Sequence, residues 1–128
     1  MIPQYVAASL VSENKVLSHP ASVDSIPTSA GQEDHVSMGN AAGLKAWQVL
    51  ANAEQVLAIE LLAGVQGVEF LAPLQPGQGV RAAREQIRAL SPRLRDDRQL
   101  SGDIEAVAAA IRDGTIVDGV ESEVGALA

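Results

Sequence analysis

"VLAIELLAGV", residues 56–65, decides the fold, because Glu60 is its only polar side chain. A helix that is apolar on nearly every face must be covered on nearly every face. Outward from this run, helical spacing extends back to about Ala41 and forward to Leu71, and Pro73 stops it. At 1.5 Å per residue such a rod is about 45 Å long. A chain of 128 residues has too little material to enclose it. The rod therefore reads as the central helix of an oligomeric bundle, with Ala58, Ala63 and Gly64 small enough for neighbouring backbones to come close. Its ten-residue apolar core falls short of the roughly 18 charge-free residues of a bilayer span, so no membrane is expected.

Upstream, Val6, Leu10, Val11 and Leu17 recur at three- and four-residue steps, which predicts a helix over residues 2–17. Pro3 suits its first turn, and Pro20 restricts the residue before it, so the helix ends by Ser18 or His19. Residues 20–32 are Pro, Ser, Thr, Asp and Ala with few large apolar side chains, a loop long enough to suggest a task. The long helix is expected to start near Glu33–Val36, pause around 38–43, and then run on.

Downstream, a Pro/Gly turn leads to a helix over residues 80–90, with Val80, Ile87 and Leu90 on one side and Arg81, Arg84 and Arg88 on the other. Ser101 has the chemistry of an N-cap for a helix over 102–112 that turns Ile104, Val107, Ala108 and Ile111 inward. Gly114 ends it, and the acidic residues beyond are weakly patterned. The class is all-α: long helices of an oligomeric bundle plus shorter C-terminal helices. The expected organisation is one helical portion, with bundle and loop in 1–75, peripheral helices in 76–113 and a weakly ordered tail in 114–128.

The net charge of −7 and pI near 4.6 argue against nucleic acid as a partner. Six arginines do crowd into residues 81–98, but Glu85, Asp96 and Asp97 interleave with them, as on a solvated face of ion pairs. Core volume must come from aliphatics, since Tyr5, Trp47 and Phe70 are the only aromatic residues. The absence of cysteine removes disulfides and thiolate metal sites. His19 and His35, sixteen positions apart, match no metal-ligand spacing, so no metal is expected. The opening residues lack the basic stretch of a secretory signal, which makes a cytoplasmic location the expectation.

Gln32-Glu33-Asp34-His35 is the densest acid–base chemistry in the chain. Two readings stand side by side. Acids at a helix start stabilise its dipole, which would make the stretch an ordinary capped turn. Alternatively, small residues on either side let a carboxylate and an amide approach a ligand, with Glu33 as acid, base or ammonium partner. Tyr5, in an apolar helix, reads as packing more readily than as a proton-transfer group.

"ENKVLSHPASVDSIPTSAGQEDHVSMG" (residues 13–39), followed by "LAIELLAGVQGVEFLAPL" (57–74), resembles the C-terminal part of the histidine ammonia-lyases, members of the aromatic amino-acid lyases. The likeness extends over residues 1–113 and is most specific through 74. It implies an all-helical homotetramer, a methylidene-imidazolone prosthetic group, and conversion of L-histidine to trans-urocanate and ammonia. It also implies that Glu33 is the active-site glutamate and Gln32 the neighbouring substrate-binding amide. The Ala-Ser-Gly triad from which the family's prosthetic group forms is missing, and Leu100-Ser101-Gly102 does not correspond to it. The chain thus resembles the last quarter of such an enzyme, whether a separate subunit, a gene remnant or a fragment. On that reading it needs an N-terminal lyase polypeptide and is inactive alone. The rival expectation is a non-catalytic helical assembly module.

Overall fold

The computed structural model describes residues 2–127. Among these, α1 (Ile2–Leu17), α2 (Gly39–Glu69), α3 (Gln78–Leu90), α4 (Ser101–Arg112) and α5 (Thr115–Val124) follow in order, with a single 3₁₀ turn at Ser29–Gly31. No strand forms among the described residues; one isolated antiparallel bridge joins Thr28 and Glu33. The fold class is all-α, as the periodicity requires.

Two compact units share the chain, Met1–Ala7 with Glu54–Ala128, and Ala8–Ala53. The division falls inside α2, between Ala53 and Glu54. In the first unit, Ala58 and Val65 of α2 meet Ile87 of α3, Val107, Ala108 and Ala110 of α4, and Ile116 of α5. Leu61, Leu62, Ile104 and Ile111 pack around them. Ile87 and Val107 are completely excluded from solvent. Burying an aliphatic side chain of this size stabilises the folded state by about 1.5–3 kcal/mol.

A polar clamp closes one end of this unit. Arg88 Nε donates to Glu69 Oε1 at 2.7 Å and its Nη2 donates to Glu69 Oε2 at 3.1 Å. Arg93 lies 3.4 Å from the same carboxylate and stacks 5.8 Å from the Phe70 ring centre. Arg88, grouped with the outward arginines by sequence, is therefore turned inward, while Val80 and Leu90 stay largely exposed. Ala82 and Ile87 form the buried stripe of α3. The carboxylate of Glu69 draws the guanidinium in, and the long aliphatic stem of arginine tolerates that burial. Ser91, almost fully buried, donates to Asp103 Oδ2 at 2.9 Å. Arg98 pairs with the same carboxylate.

Two local expectations change. Ser101 is not the N-cap of α4: Leu100 holds that place without a side-chain cap, and Ser101 Oγ accepts a bond from Gln99 Nε2 at 2.9 Å. Residues 114–128 are not a weakly ordered tail throughout, since α5 occupies Thr115–Val124. Asp113 Oδ1 accepts from the Thr115 N–H at 3.0 Å, satisfying a donor at the start of α5 that would otherwise lack a partner. Gly114, at φ +82°, makes the reversal between α4 and α5. Gly119 lets α5 lie so close to α3 that an added Cβ would come within 2.6 Å of the Gln86 side chain.

In the second unit, Asn52 of α2 ties to α1. Its amide donates to Glu13 Oε2 at 2.8 Å and to Asn14 Oδ1 at 2.9 Å. Around this contact much apolar surface stays open: Trp47 is 77% exposed, and Leu44, Leu50, Val11 and Val16 are also exposed. Leu57 of the all-apolar run is likewise half-exposed. By length and composition α2 could cross a membrane. Its buried polar residues, Asn52 and Glu54, bond instead to partners in this chain, and Glu60 lies on the open face.

Candidate active site

The loop between α1 and α2 belongs wholly to the second unit. The long helix begins at Gly39, so Glu33 and Asp34 do not sit in its first turn as expected. A hairpin-like closure holds them apart from it. Thr28 N donates to Glu33 O at 3.0 Å and Glu33 N donates to Thr28 O at 3.3 Å. Between these two residues the chain passes through left-handed backbone three times in succession: Ser29 (φ 52°), Ala30 (φ 55°) and Gly31 (φ 84°). Gly31 adopts this freely. Ser29 and Ala30 do so at a cost of roughly 1 kcal/mol each. Strain of that kind persists only where surrounding contacts impose it. Here the paired backbone of residues 28 and 33 does so, and downstream Val36 N donates to Ser25 Oγ at 2.8 Å.

This strained closure places the Thr28 hydroxyl on Glu33, donating to Oε2 at 2.6 Å, with Ser29 Oγ at 3.5 Å from the same oxygen. Sequence reading missed Thr28. The only sign was a hydroxyl pair five and four positions ahead of a carboxylate, which gains meaning once the left-handed turn brings them together. Gln32, Glu33, Asp34 and His35 are all exposed. The ion pairs among the described residues engage Glu54, Glu69 and Asp103, and Glu33 is in none of them. Its charge is thus held in place by neutral donors and left available.

His19 is not brought into a metal site. Its carbonyl accepts a bond from the Lys45 ammonium, and no cluster of histidine and carboxylate ligands occurs among the described residues. A cleft of this unit, lined by Leu17, His19, Pro20, Lys45, Val49 and Leu50, does not include Glu33. Glu33 stands exposed on the loop, outside that cleft. Tyr5 is 65% exposed and belongs to the other unit.

The 128 residues contain no Ala-Ser-Gly run and so do not fit the prosthetic group of the aromatic lyases as its source.

The aromatic amino acid lyase family model matches residues 1–89. The chain is 54% identical over 127 residues to a histidine ammonia-lyase of Natranaerobius thermophilus, covering 99% of this chain and 25% of that protein. Against the crystal structure of histidine ammonia-lyase from Trypanosoma cruzi, the TM-score is 0.90 at 45% identity, over 95% of this chain and 24% of that one. The tyrosine aminomutase structure from Streptomyces globisporus superposes with a TM-score of 0.88 at 36% identity, over 94% of this chain and 23% of that one. The same helices thus occur beneath more than one named activity, and the chain spans about a quarter of the length of the relatives it matches. With a family match across most of its length and these helices in common, the chain belongs to the aromatic amino acid lyase family.

Proposed function

We propose that this chain is the C-terminal quarter of a histidine ammonia-lyase, which converts L-histidine to trans-urocanate and ammonia. In this reading Glu33, with Gln32 beside it, forms one wall of a substrate site that further polypeptide completes. The observation that carries the proposal is the 54% identity to a histidine ammonia-lyase across 99% of the chain. The exposed, hydroxyl-held Glu33 carboxylate supports the site assignment. A fixed carboxylate can bind the substrate ammonium or an imidazole N–H by a charge-assisted hydrogen bond, and can hold or accept a proton there. Gln32 offers a neutral donor and acceptor beside it.

The open apolar faces support the rest of the reading. Leu44, Trp47 and Leu50 in one unit, and Leu57 in the other, are surface that a soluble cytoplasmic protein covers with other chains. Those chains are further copies, assembling as a tetramer, or an N-terminal lyase polypeptide carrying the Ala-Ser-Gly triad and hence the prosthetic group. The chain alone is inactive because it lacks that triad.

The test is urocanate absorbance. The purified chain with L-histidine is expected to give none, and addition of an N-terminal lyase polypeptide bearing Ala-Ser-Gly is expected to restore it. Turnover by the chain alone sinks the proposal. So does a reconstituted enzyme indifferent to Glu33→Ala. Assembly with no binding of histidine or urocanate would identify the chain as a non-catalytic helical module instead.

A further inference from the structure

We propose that Thr28 is a positioning residue for Glu33: its hydroxyl occupies Oε2 and leaves Oε1 as the oxygen offered to the cationic or N–H-bearing group of a ligand. This rests on the reading of Glu33 as a site residue. The geometry is specific. Thr28 Oγ1 lies 2.6 Å from Oε2, within the short range of a hydroxyl donating to a charged oxygen. Ser29 approaches the same oxygen at 3.5 Å, and neither hydroxyl is bonded to Oε1. A free exposed glutamate samples several rotamers, and a ligand binding it must select one. Here the selection is made in advance.

The backbone supports the arrangement from both sides. The reciprocal bonds between Thr28 and Glu33 set the distance between the two Cα atoms, and the left-handed Ser29–Gly31 turn lets two residues five apart in sequence face each other. Threonine adds a second constraint, since its branched Cβ limits the directions the hydroxyl can take. A neutral donor does this without cancelling the charge. An arginine in its place would hold the carboxylate equally firmly and compete with the ligand's cation.

Two measurements on Thr28→Val and Thr28→Ser test this. In the intact 128-residue chain, scalar couplings report the Glu33 side-chain rotamers. One dominant rotamer is expected in the parent and the serine variant, and averaging in the valine variant. Averaging already present in the parent overturns the inference, and so does a locked rotamer that survives Thr28→Val. In the enzyme reconstituted with the N-terminal lyase polypeptide, Thr28→Val is expected to lower kcat/KM about tenfold, Thr28→Ser to stay within about twofold, and Thr28→Val to do nothing further on a Glu33→Ala background. A serine variant as impaired as the valine one overturns the inference, because packing and not the hydroxyl is then what matters. If Glu33→Ala slows the enzyme and Thr28→Val does not, this inference alone falls. If Glu33→Ala leaves the rate unchanged, the site reading falls and takes this one with it.

Discussion

Glu33 and Glu69 are both held glutamates, and they are held in opposite ways, one by neutral hydroxyls and the other by charged guanidinium groups. Glu69, in the first unit, receives two bonds from Arg88 and lies beside Arg93, and the guanidinium bonds keep its carboxyl below the ordinary glutamate range. Its charge is spent inside the protein. Glu33, in the second unit, is held by a threonine hydroxyl at 2.6 Å and has no ion-pair partner among the described residues. A carboxylate fixed by neutral donors keeps its attraction for an incoming cation. The two units differ in packing as well: among the described residues the buried apolar side chains all lie in the first, although both units leave large apolar side chains open, Phe70 and Leu74 in the first and Trp47 and Leu44 in the second.

The largest effect expected on this contrast is at Glu33. Glu33→Gln keeps the shape and removes the charge, and in the reconstituted enzyme should cost about a hundredfold or more in urocanate formation, within the usual range for acid–base groups. Its urea midpoint should stay close to that of the parent, since no ion pair is lost and the amide oxygen can still accept from the exposed Thr28 hydroxyl. A shifted midpoint would make Glu33 structural and erase the distinction. Next comes Ile87→Ala, which opens a cavity where exclusion from solvent is complete and should destabilise the chain by about 3 kcal/mol in urea unfolding. Trp47→Ala should leave that midpoint nearly unchanged but weaken association. The single indole also reports assembly directly, with emission moving to shorter wavelength as partners cover it. Emission that ignores protein concentration and partner addition would close the case for a shared face.

Periodicity made the helices legible because spacing is a local property. α1 was read at its observed bounds, and the inward set of α4, Ile104, Val107, Ala108 and Ile111, was read correctly. Arg88 was misplaced because its inward turn depends on Glu69, nineteen positions away, and no local rule reports that partner. α5 was missed because its pattern is short and acidic, and because its first turn is supported by Asp113 from outside the helix. At the loop, residue types alone left both a helix start and an active-site wall open. The left-handed run at Ser29, Ala30 and Gly31 removes the helix start, and serine and alanine announce no such backbone from sequence. The family likeness singled out Glu33 and Gln32, while Thr28 became visible only in three dimensions.

A smaller effect tests the other half of the contrast. Glu69→Gln should lower stability by about 1.5 kcal/mol at pH 7, the scale of a hydrogen bond to a charged group. Because the folded state lowers the Glu69 pKa, the pair's contribution is fully present above the ordinary value of 4.5 and is lost as pH falls through the lower folded value. The parent and the variant should therefore converge in acid. A difference that persists unchanged to pH 2 would mean that the arginines gain packing from Glu69 rather than charge.

The smallest effect is the most discriminating, because the bond between Thr28 and Glu33 has a chemical twin. Thr115 Oγ1 donates to Asp113 Oδ1 at 2.6 Å, the same distance and the same pair of groups, and the Thr115 N–H adds a second bond. The hydroxyl bond first, and then the N–H, lower the Asp113 pKa. This contribution too is present above the ordinary value of 3.8 and fades as pH falls through the lowered one. Thr115→Val should thus cause a slight loss of stability at pH 7, smaller than that of Glu69→Gln, which vanishes in acid while the rate of the reconstituted enzyme stays the same. Thr28→Val should do the reverse, slowing the enzyme with little change in stability. If both valine variants moved only stability, a hydroxyl on a carboxylate would be a turn-making device wherever it occurs in this chain, and Glu33 would lose its special claim.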